Sequence, residues 1–191
     1  MKLVNRALSV LSIFLIITFC NCSSNDPAAS ASITLSIDGT TKSATFTAAQ
    51  LIVKTTGEKE RAISINAAAG SDMLILSVSS WGYQNPPTDG LLIKTYYSLF
   101  DDAGRAKATC LQKGITSYCD SNLITYLSGT NYYSSGFYTG AAYESIIKIT
   151  ANDPAKKTIS GEYDAKVQSS TGTVLTLKGK FTNVSYFVTT Q

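Results

Sequence analysis

The chain has 191 residues, with 16 Lys and Arg against 13 Asp and Glu, no histidine, one tryptophan and 11 tyrosines. This length suits one domain with a sizeable core and is too short for two comfortable ones. The weak positive balance excludes the dense basic face that a nucleic-acid binder needs. The missing histidine removes the usual base for a serine or cysteine nucleophile.

The first residues read as an address. Lys2 and Arg6 give a positive start, Ala7 to Phe19 is an uncharged apolar run, and Phe19-Cys20-Asn21-Cys22-Ser23-Ser24 closes it. Thirteen residues of helix fall short of a hydrocarbon core about 30 Å thick, so a secretory signal is expected rather than a membrane span. Cys20 follows bulky Phe19, whereas Cys22 follows the smaller Asn21, which favours Cys22 as a lipid-modified cysteine. The competing reading is a plain secretory signal that releases a soluble protein. Cleavage before Cys22 removes Lys2 and Arg6 and leaves 14 basic against 13 acidic side chains, a nearly neutral domain. Residues 22–31 then form the acylated cysteine and a small polar tether. The segment Cys22-Ser23-Ser24-Asn25-Asp26 resembles the mature start of small lipoproteins of Bacteroidetes and spirochaete type.

From Ser32 a single β domain is expected to run to residue 191. Ile33, Leu35 and Ile37 alternate with polar residues up to Asp38-Gly39, a strong hairpin signal. Ala44, Phe46 and Ala48 alternate in the next run. Ile63, Ile65 and Ala67 follow, and Gly70-Ser71-Asp72 turns the chain into a run from Met73 to Ser80. The stretch from Trp81 to Gly90 holds two glycines and Pro86-Pro87, so it reads as a loop. Leu91 to Phe100 is more apolar and reads as a buried or central strand, and Asp101-Asp102-Ala103-Gly104 as a turn.

Cys110 and Cys119 lie in two short candidate strands, nine positions apart. In an oxidising compartment two such cysteines pair as a disulfide; two buried thiols or half of a metal site are the alternatives, the last poorly supplied with ligands. Tyr143 to Thr150 reads as a strand and Asn152-Asp153-Pro154 as a turn. Ile159, Gly161, Tyr163, Ala165 and Val167 then share one face, opposite Ser160, Glu162, Asp164, Lys166 and Gln168. Leu175, Leu177, Gly179 and Phe181 continue the core phase, which slips at Asn183 and so predicts a β-bulge. No window carries helical spacing. The pattern therefore gives an all-β fold of nine or ten antiparallel strands, expected as a sandwich, with a flattened lipocalin-like barrel as the alternative.

Two motifs carry a further resemblance. Ile33-Thr34-Leu35-Ser36-Ile37-Asp38-Gly39 at the start, and Ile159-Ser160-Gly161-Glu162-Tyr163 with Lys178-Gly179-Lys180-Phe181-Thr182-Asn183-Val184 at the end, are similar to an uncharacterised family of small Bacteroidetes-type lipoproteins. That family opens on a strand and a "DG" turn and closes on an "I-x-G-x-F/Y … G-x-F-x-N" strand pair. The resemblance covers about forty residues. It implies a β domain on a lipid anchor, and no functional residues.

Chemistry is sparse. Ser145-Ile146-Ile147-Lys148 spells S-x-x-K, but on a strand residues three apart face opposite sides. Glu162 and Asp164 share a strand face with Lys166 and read as a solvated surface. Asp101-Asp102 reads as a turn rather than a calcium site. No metal and no cofactor is expected, nor an enzyme. The distinctive feature is aromatic: Tyr126, Tyr132, Tyr133, Phe137, Tyr138 and Tyr143 lie among serines, threonines and glycines. Tyr132, Tyr133, Phe137 and Tyr138, joined by Trp81 if the fold brings the loops together, are the candidate ligand-binding residues, because such rings offer area and hydroxyl hydrogen bonds at low entropic cost. The competing reading is that these rings cover a strand edge. The expected protein is a cell-envelope lipoprotein of the outer membrane, held by its lipid, that binds a glycan or an envelope protein; the alternative is an inert structural or accessory lipoprotein.

Overall fold

The computed structural model describes residues 30–57, 59–81, 90–100, 102–113, 116–138 and 145–191. Among the described residues thirteen strands form, which corrects the expected nine or ten because short strands such as β5, β9 and β13 show little period: β1 (Ser32–Ile37), β2 (Thr40–Lys54), β3 (Glu60–Ala69), β4 (Asp72–Trp81), β5 (Thr95–Tyr97), β6 (Cys110–Lys113), β7 (Thr116–Cys119), β8 (Ser121–Ser128), β9 (Asn131–Ser134), β10 (Ile146–Asp153), β11 (Thr158–Ser169), β12 (Val174–Ser185) and β13 (Phe187–Thr190). One short helix, α1 (Asp102–Lys107), precedes β6. Asp102 opens this helix and Arg105 and Lys107 fall in its last turn, a charge order that favours a helix. The expected turn at Asp101–Gly104 is thereby corrected for Asp102 onward; six residues are too few for a helical period to show in sequence.

Eight strands close on themselves in the order β1-β2-β3-β4-β8-β9-β11-β12, with β12 returning to β1, and every pairing in this circuit is antiparallel. The expected sandwich is corrected to a barrel. Alternation tells which side chains face the core, but sandwich and barrel share that alternation. What separates them is whether the end strands of the sheet meet. Here β12 bonds both β11 and β1. Three further strands extend the wall. β10 pairs with β11 and carries β5, while β13 pairs in parallel with β2 beyond the stretch that β1 covers. The long expected strand from Leu91 to Phe100 shrinks to Thr95–Tyr97: Leu91 and Tyr96 are buried, whereas Ile93 and Phe100 are exposed. An apolar run without alternation gave no phase there.

The inward phase of each strand fills the barrel. Leu35, Leu51, Ile63, Leu74, Leu76, Ile124, Val167 and Leu177 are all at most 2% exposed. An eight-stranded barrel has an interior that side chains can fill, and among the described residues these inward side chains form one buried cluster. Tight turns join β1 to β2, β3 to β4 and β8 to β9, and a four-residue turn joins β11 to β12; together they form the hairpin end. At Asp38-Gly39 both residues have positive φ, 48° and 83°, as a two-residue hairpin requires. The opposite, crossover end is spanned by the longer connections.

The closing seam rests on two reciprocal pairs. In register, Gly161 stands opposite Phe181 and Tyr163 opposite Gly179. Each ring lies over the glycine of the other strand: a Cβ at Gly161 would sit 2.9 Å from Phe181 Cε1, and one at Gly179 2.7 Å from Tyr163 Cζ. Because Gly179 has no side chain, Tyr163 crosses β12 and its hydroxyl donates to the Thr34 carbonyl of β1 at 2.7 Å. Thr34 Oγ1 in turn accepts from Lys180 N at 2.9 Å. Side chains thus replace the backbone ladder at this point, since the β1–β12 register skips from Ile33–Phe181 to Ser36–Lys178. The expected bulge forms beside it, with Asn183 at φ 49° and its N–H donating to Ser160 Oγ at 2.9 Å.

Gly179→Ala and Gly161→Ala are each expected to lower stability by more than about 3 kcal/mol, because the new methyl meets backbone as well as ring. Tyr163→Phe is expected to cost about 1 kcal/mol, for the Thr34 carbonyl left unpaired. Urea denaturation of the three variants measures both effects.

Candidate functional site

At the hairpin end, the pleat turns Lys42 of β2, Asp72 of β4 and Tyr126 of β8 toward the barrel mouth. Lys42 Nζ donates to Asp72 Oδ2 at 2.8 Å and to Tyr126 OH at 3.0 Å, and the Tyr126 hydroxyl donates to the same Asp72 oxygen. The Tyr126 ring is buried, and Tyr133 packs on it with centroids 6.2 Å apart. The Asp72 and Tyr126 bonds hold the Lys42 amine charged well above the usual lysine range. The Lys42 and Tyr126 bonds hold Asp72 below the usual carboxylate range, and burial raises the Tyr126 hydroxyl. An amine held charged is a poor nucleophile and a carboxylate held ionised a poor acid. The cluster therefore ties three strands at the mouth.

The aromatic candidates divide. Tyr133 turns inward onto Tyr126 and is half-buried, whereas Tyr132 points outward from β9. Tyr132 and Phe137 meet edge to face with centroids 5.6 Å apart, and they are 44% and 48% exposed. Tyr132 lies across from Leu127 and Leu127 from Met73, so the exposed Met73 continues the apolar strip on the outer wall of β4, β8 and β9. Phe100 reaches the same strip beside Gly136. Tyr138 borders it, with Lys166 Nζ 5.5 Å from its ring.

Trp81 does not join this strip. It ends β4 at the crossover end, eight residues from Met73, or roughly 26 Å along a strand. Its ring packs on Tyr118 of β7, with centroids 5.3 Å apart. The expectation that Trp81 extends the patch is corrected: the outward phase is shared, but the position along the strand is not.

Around Trp81 the crossover end is stapled by polar groups. Asp120 accepts from Ser80 Oγ at 2.7 Å and from Trp81 N at 2.9 Å, and pairs with Lys94. Asn122 donates both amide hydrogens, to Tyr96 O at 2.6 Å and Ser145 O at 3.0 Å, joining β8 to the β5–β10 pair where no ladder runs. Arg61 donates to Gly90 O and Asn152 to Leu91 O, both at 2.9 Å, so the chain at Gly90–Leu91 crosses the barrel mouth. Cys110 and Cys119 stand directly opposite each other in the β6–β7 hairpin, with sulfurs at disulfide distance and Cα atoms 4.0 Å apart.

On the outer wall near Gly179 lies a shallow groove of about 450 Å³ lined by Thr34, Ser36, Glu162, Asp164, Lys178 and Lys180 among others. Glu162 pairs with Lys148 at 3.3 Å and Asp164 with Lys178 at 2.7 Å, so the two carboxylates are spread into cross-strand ion pairs rather than set facing a substrate. Ser145 is buried and Lys148 exposed, as strand geometry demands of S-x-x-K. Among the described residues no group of three or more His, Cys, Asp or Glu converges on a point that could hold a metal, and no helix is long and apolar enough to cross a membrane. Cys22 and the tether up to residue 29 lie outside the described residues, as does Tyr143.

Compared with family models, curated proteins and solved structures, the chain matches none of them. Its site is therefore read from its own chemistry. Sequence reasoning missed the Lys42–Asp72–Tyr126 cluster because these residues are far apart in the chain. The available signal was one lysine in the inward phase of β2, at a position two residues from Ala44.

The ion pair predicts a plateau in stability. Asp72 titrates below its ordinary 3.8 in the folded chain, so its contribution stands above that pH and is lost as pH falls through the folded value. Lys42 titrates above its ordinary 10.5, so its contribution stands below that pH and is lost as pH rises through the folded value. The stability difference between the parent and Asp72→Asn is expected to be flat between these limits and to shrink in acid, measured by urea denaturation across pH. Reducing Cys110–Cys119 is expected to remove roughly 2–3 kcal/mol and to change the emission of Trp81, whose neighbour Tyr118 precedes Cys119.

Proposed function

We propose that this chain is a cell-envelope lipoprotein, anchored through Cys22, whose barrel is a non-catalytic binding module for a glycan or an envelope protein. The observation that carries the reading is the Tyr132–Phe137 pair, two rings nearly half exposed on a wall whose strands are otherwise fixed by hydrogen bonding. Met73, Leu127, Phe100 and Tyr138 widen that surface, and Lys166 supplies a polar border. Such rings accept the apolar face of a sugar or an aliphatic side chain, with the Tyr132 hydroxyl left to hydrogen-bond. In the barrel order β1 lies across from β8, so the N-terminal chain enters on the wall opposite this strip. An anchored domain can then keep the strip turned outward.

The inert accessory reading draws support from the packed interior and from carboxylates taken up in ion pairs. The two readings part on one measurement. Tyr132→Ala combined with Phe137→Ala is expected to abolish capture on a glycan array or from envelope extract. Thermal unfolding of the variant is expected to stay within a few degrees of the parent, since both rings are surface-exposed. Unchanged capture, or none by the parent, favours the accessory role. Cys22→Ala is expected to abolish lipid labelling and release the protein from membranes.

A further inference from the structure

The two ends of the barrel differ in a way the strand pattern does not require. The hairpin end is a collar of turns, Asp38-Gly39, Gly70-Ser71, Gly129-Thr130 and the stretch 170–173, and its lysine, Lys42, is tied to Asp72. The crossover end carries a pair of adjacent exposed aliphatics, Leu92 at 37% and Ile93 at 63%, on the segment that crosses the mouth. Around them the β2–β3 and β10–β11 turns bring Lys54, Lys59, Lys156 and Lys157 to the same end. The carboxylates at this end among the described residues are Glu60, which accepts from Ser79 Oγ at 2.8 Å, Asp153, 3.9 Å from Lys156 Nζ, and the buried Asp120, which pairs with Lys94. Two exposed aliphatics at the end that also carries these four lysines fit an anionic lipid surface: the apolar side chains enter the headgroup layer and the amines stay with the phosphates.

The course of the chain points the same way. β1 runs from the crossover side toward Asp38-Gly39, so the chain preceding Ser32 arrives from the crossover end. From Cys22 to Ser32 there are ten residues, which span at most about 33–36 Å. That reach covers the distance from the start of β1 to the crossover rim, about nine residues of β2, or roughly 30 Å along the strand. The hairpin turn is nearer, six residues of β1 away, so the reach permits this stance while the exposed aliphatics and the lysines select it.

We propose that the crossover end is the membrane-facing end of this protein, with Leu92 and Ile93 in the headgroup layer and the four lysines on anionic headgroups. The inference rests on the lipid-anchor reading above. It gives the domain a fixed stance, with the Tyr132–Phe137 strip held away from the bilayer near the hairpin end.

Trp81 makes this testable, because it is the sole tryptophan and lies at the crossover end. The lipid-modified full chain is reconstituted into vesicles of phosphatidylglycerol and phosphatidylcholine carrying a nitroxide on the headgroup. Loss of Trp81 emission is expected. In a Trp81→Phe background, the tryptophan introduced by Tyr132→Trp is expected to stay bright. Ile93→Asp, and separately Lys156→Gln with Lys157→Gln, are expected to restore Trp81 emission, the two-lysine change weakening the contact roughly tenfold or more. Equal loss at both positions, loss only at position 132, or no response to these changes overturns the orientation while a chain that still floats with vesicles leaves the anchor standing. A chain that does not float with vesicles overturns the anchor, and the orientation with it.

Discussion

The fold depends on room made for two rings. Gly161 and Gly179 leave the inner wall bare at the two places where Phe181 and Tyr163 must lie flat across a neighbouring strand. Tyr163 is then long enough to reach from β11 over β12 to the Thr34 carbonyl on β1. One side chain thus spans three strands at the seam where the barrel closes, and burial pushes its hydroxyl far above the usual tyrosine range, keeping it protonated as a donor. Rings laid over glycines fix register as well as packing, because a slip of one residue would drive each ring into a side chain. The "I-x-G-x-Y" and "G-x-F-x-N" spellings of the last two long strands are, in this chain, the two halves of one interlock.

Closure at that seam decides where everything else sits. Once β12 meets β1, the inward side chains enclose one buried cluster and the outward ones line the outer wall. The mouths are sealed differently. Lys42, Asp72 and Tyr126 make a compact charged knot at the hairpin end, while a distributed set of amide and carboxylate bonds staples the crossover end. Asp120 shows how the latter holds together: it begins the return into β8 directly after the disulfide hairpin and receives donors from β4 and from the chain leading into β5. The aromatic strip lies on the outer wall, where among the described residues Tyr132 of the short β9 and Phe137 just beyond it stay nearly half exposed.

Much of this was legible because alternation is a strict rule in a half-buried strand. The inward sets of β1, β3, β11 and β12, the Asp38-Gly39 turn and the slip at Asn183 followed from spacing along the chain, and the pairing of Cys110 with Cys119 was one of the readings that their number allowed. Leu91 to Phe100 resisted because its apolar residues fall in blocks, Leu91 to Ile93, Tyr96-Tyr97 and Leu99-Phe100, that do not alternate and so give no phase to read. Helix α1 was too short to show one. At the site, the outward phase of Tyr132 could be reasoned from its neighbours, but Tyr133 needed β8 beside it before its inward contact with Tyr126 had a meaning.

The sequence by itself determined an all-β chain, the two faces of most strands and a composition without histidine. These are local properties, set by period, composition and turn residues. Only the tertiary structure decided barrel over sandwich, the separation of Trp81 from Tyr132, and the meeting of Lys42 with Asp72 and Tyr126. Each of those depends on which strand edges join, and edges join through contacts between residues far apart in the chain, such as Tyr163 with Thr34, that no local spacing encodes.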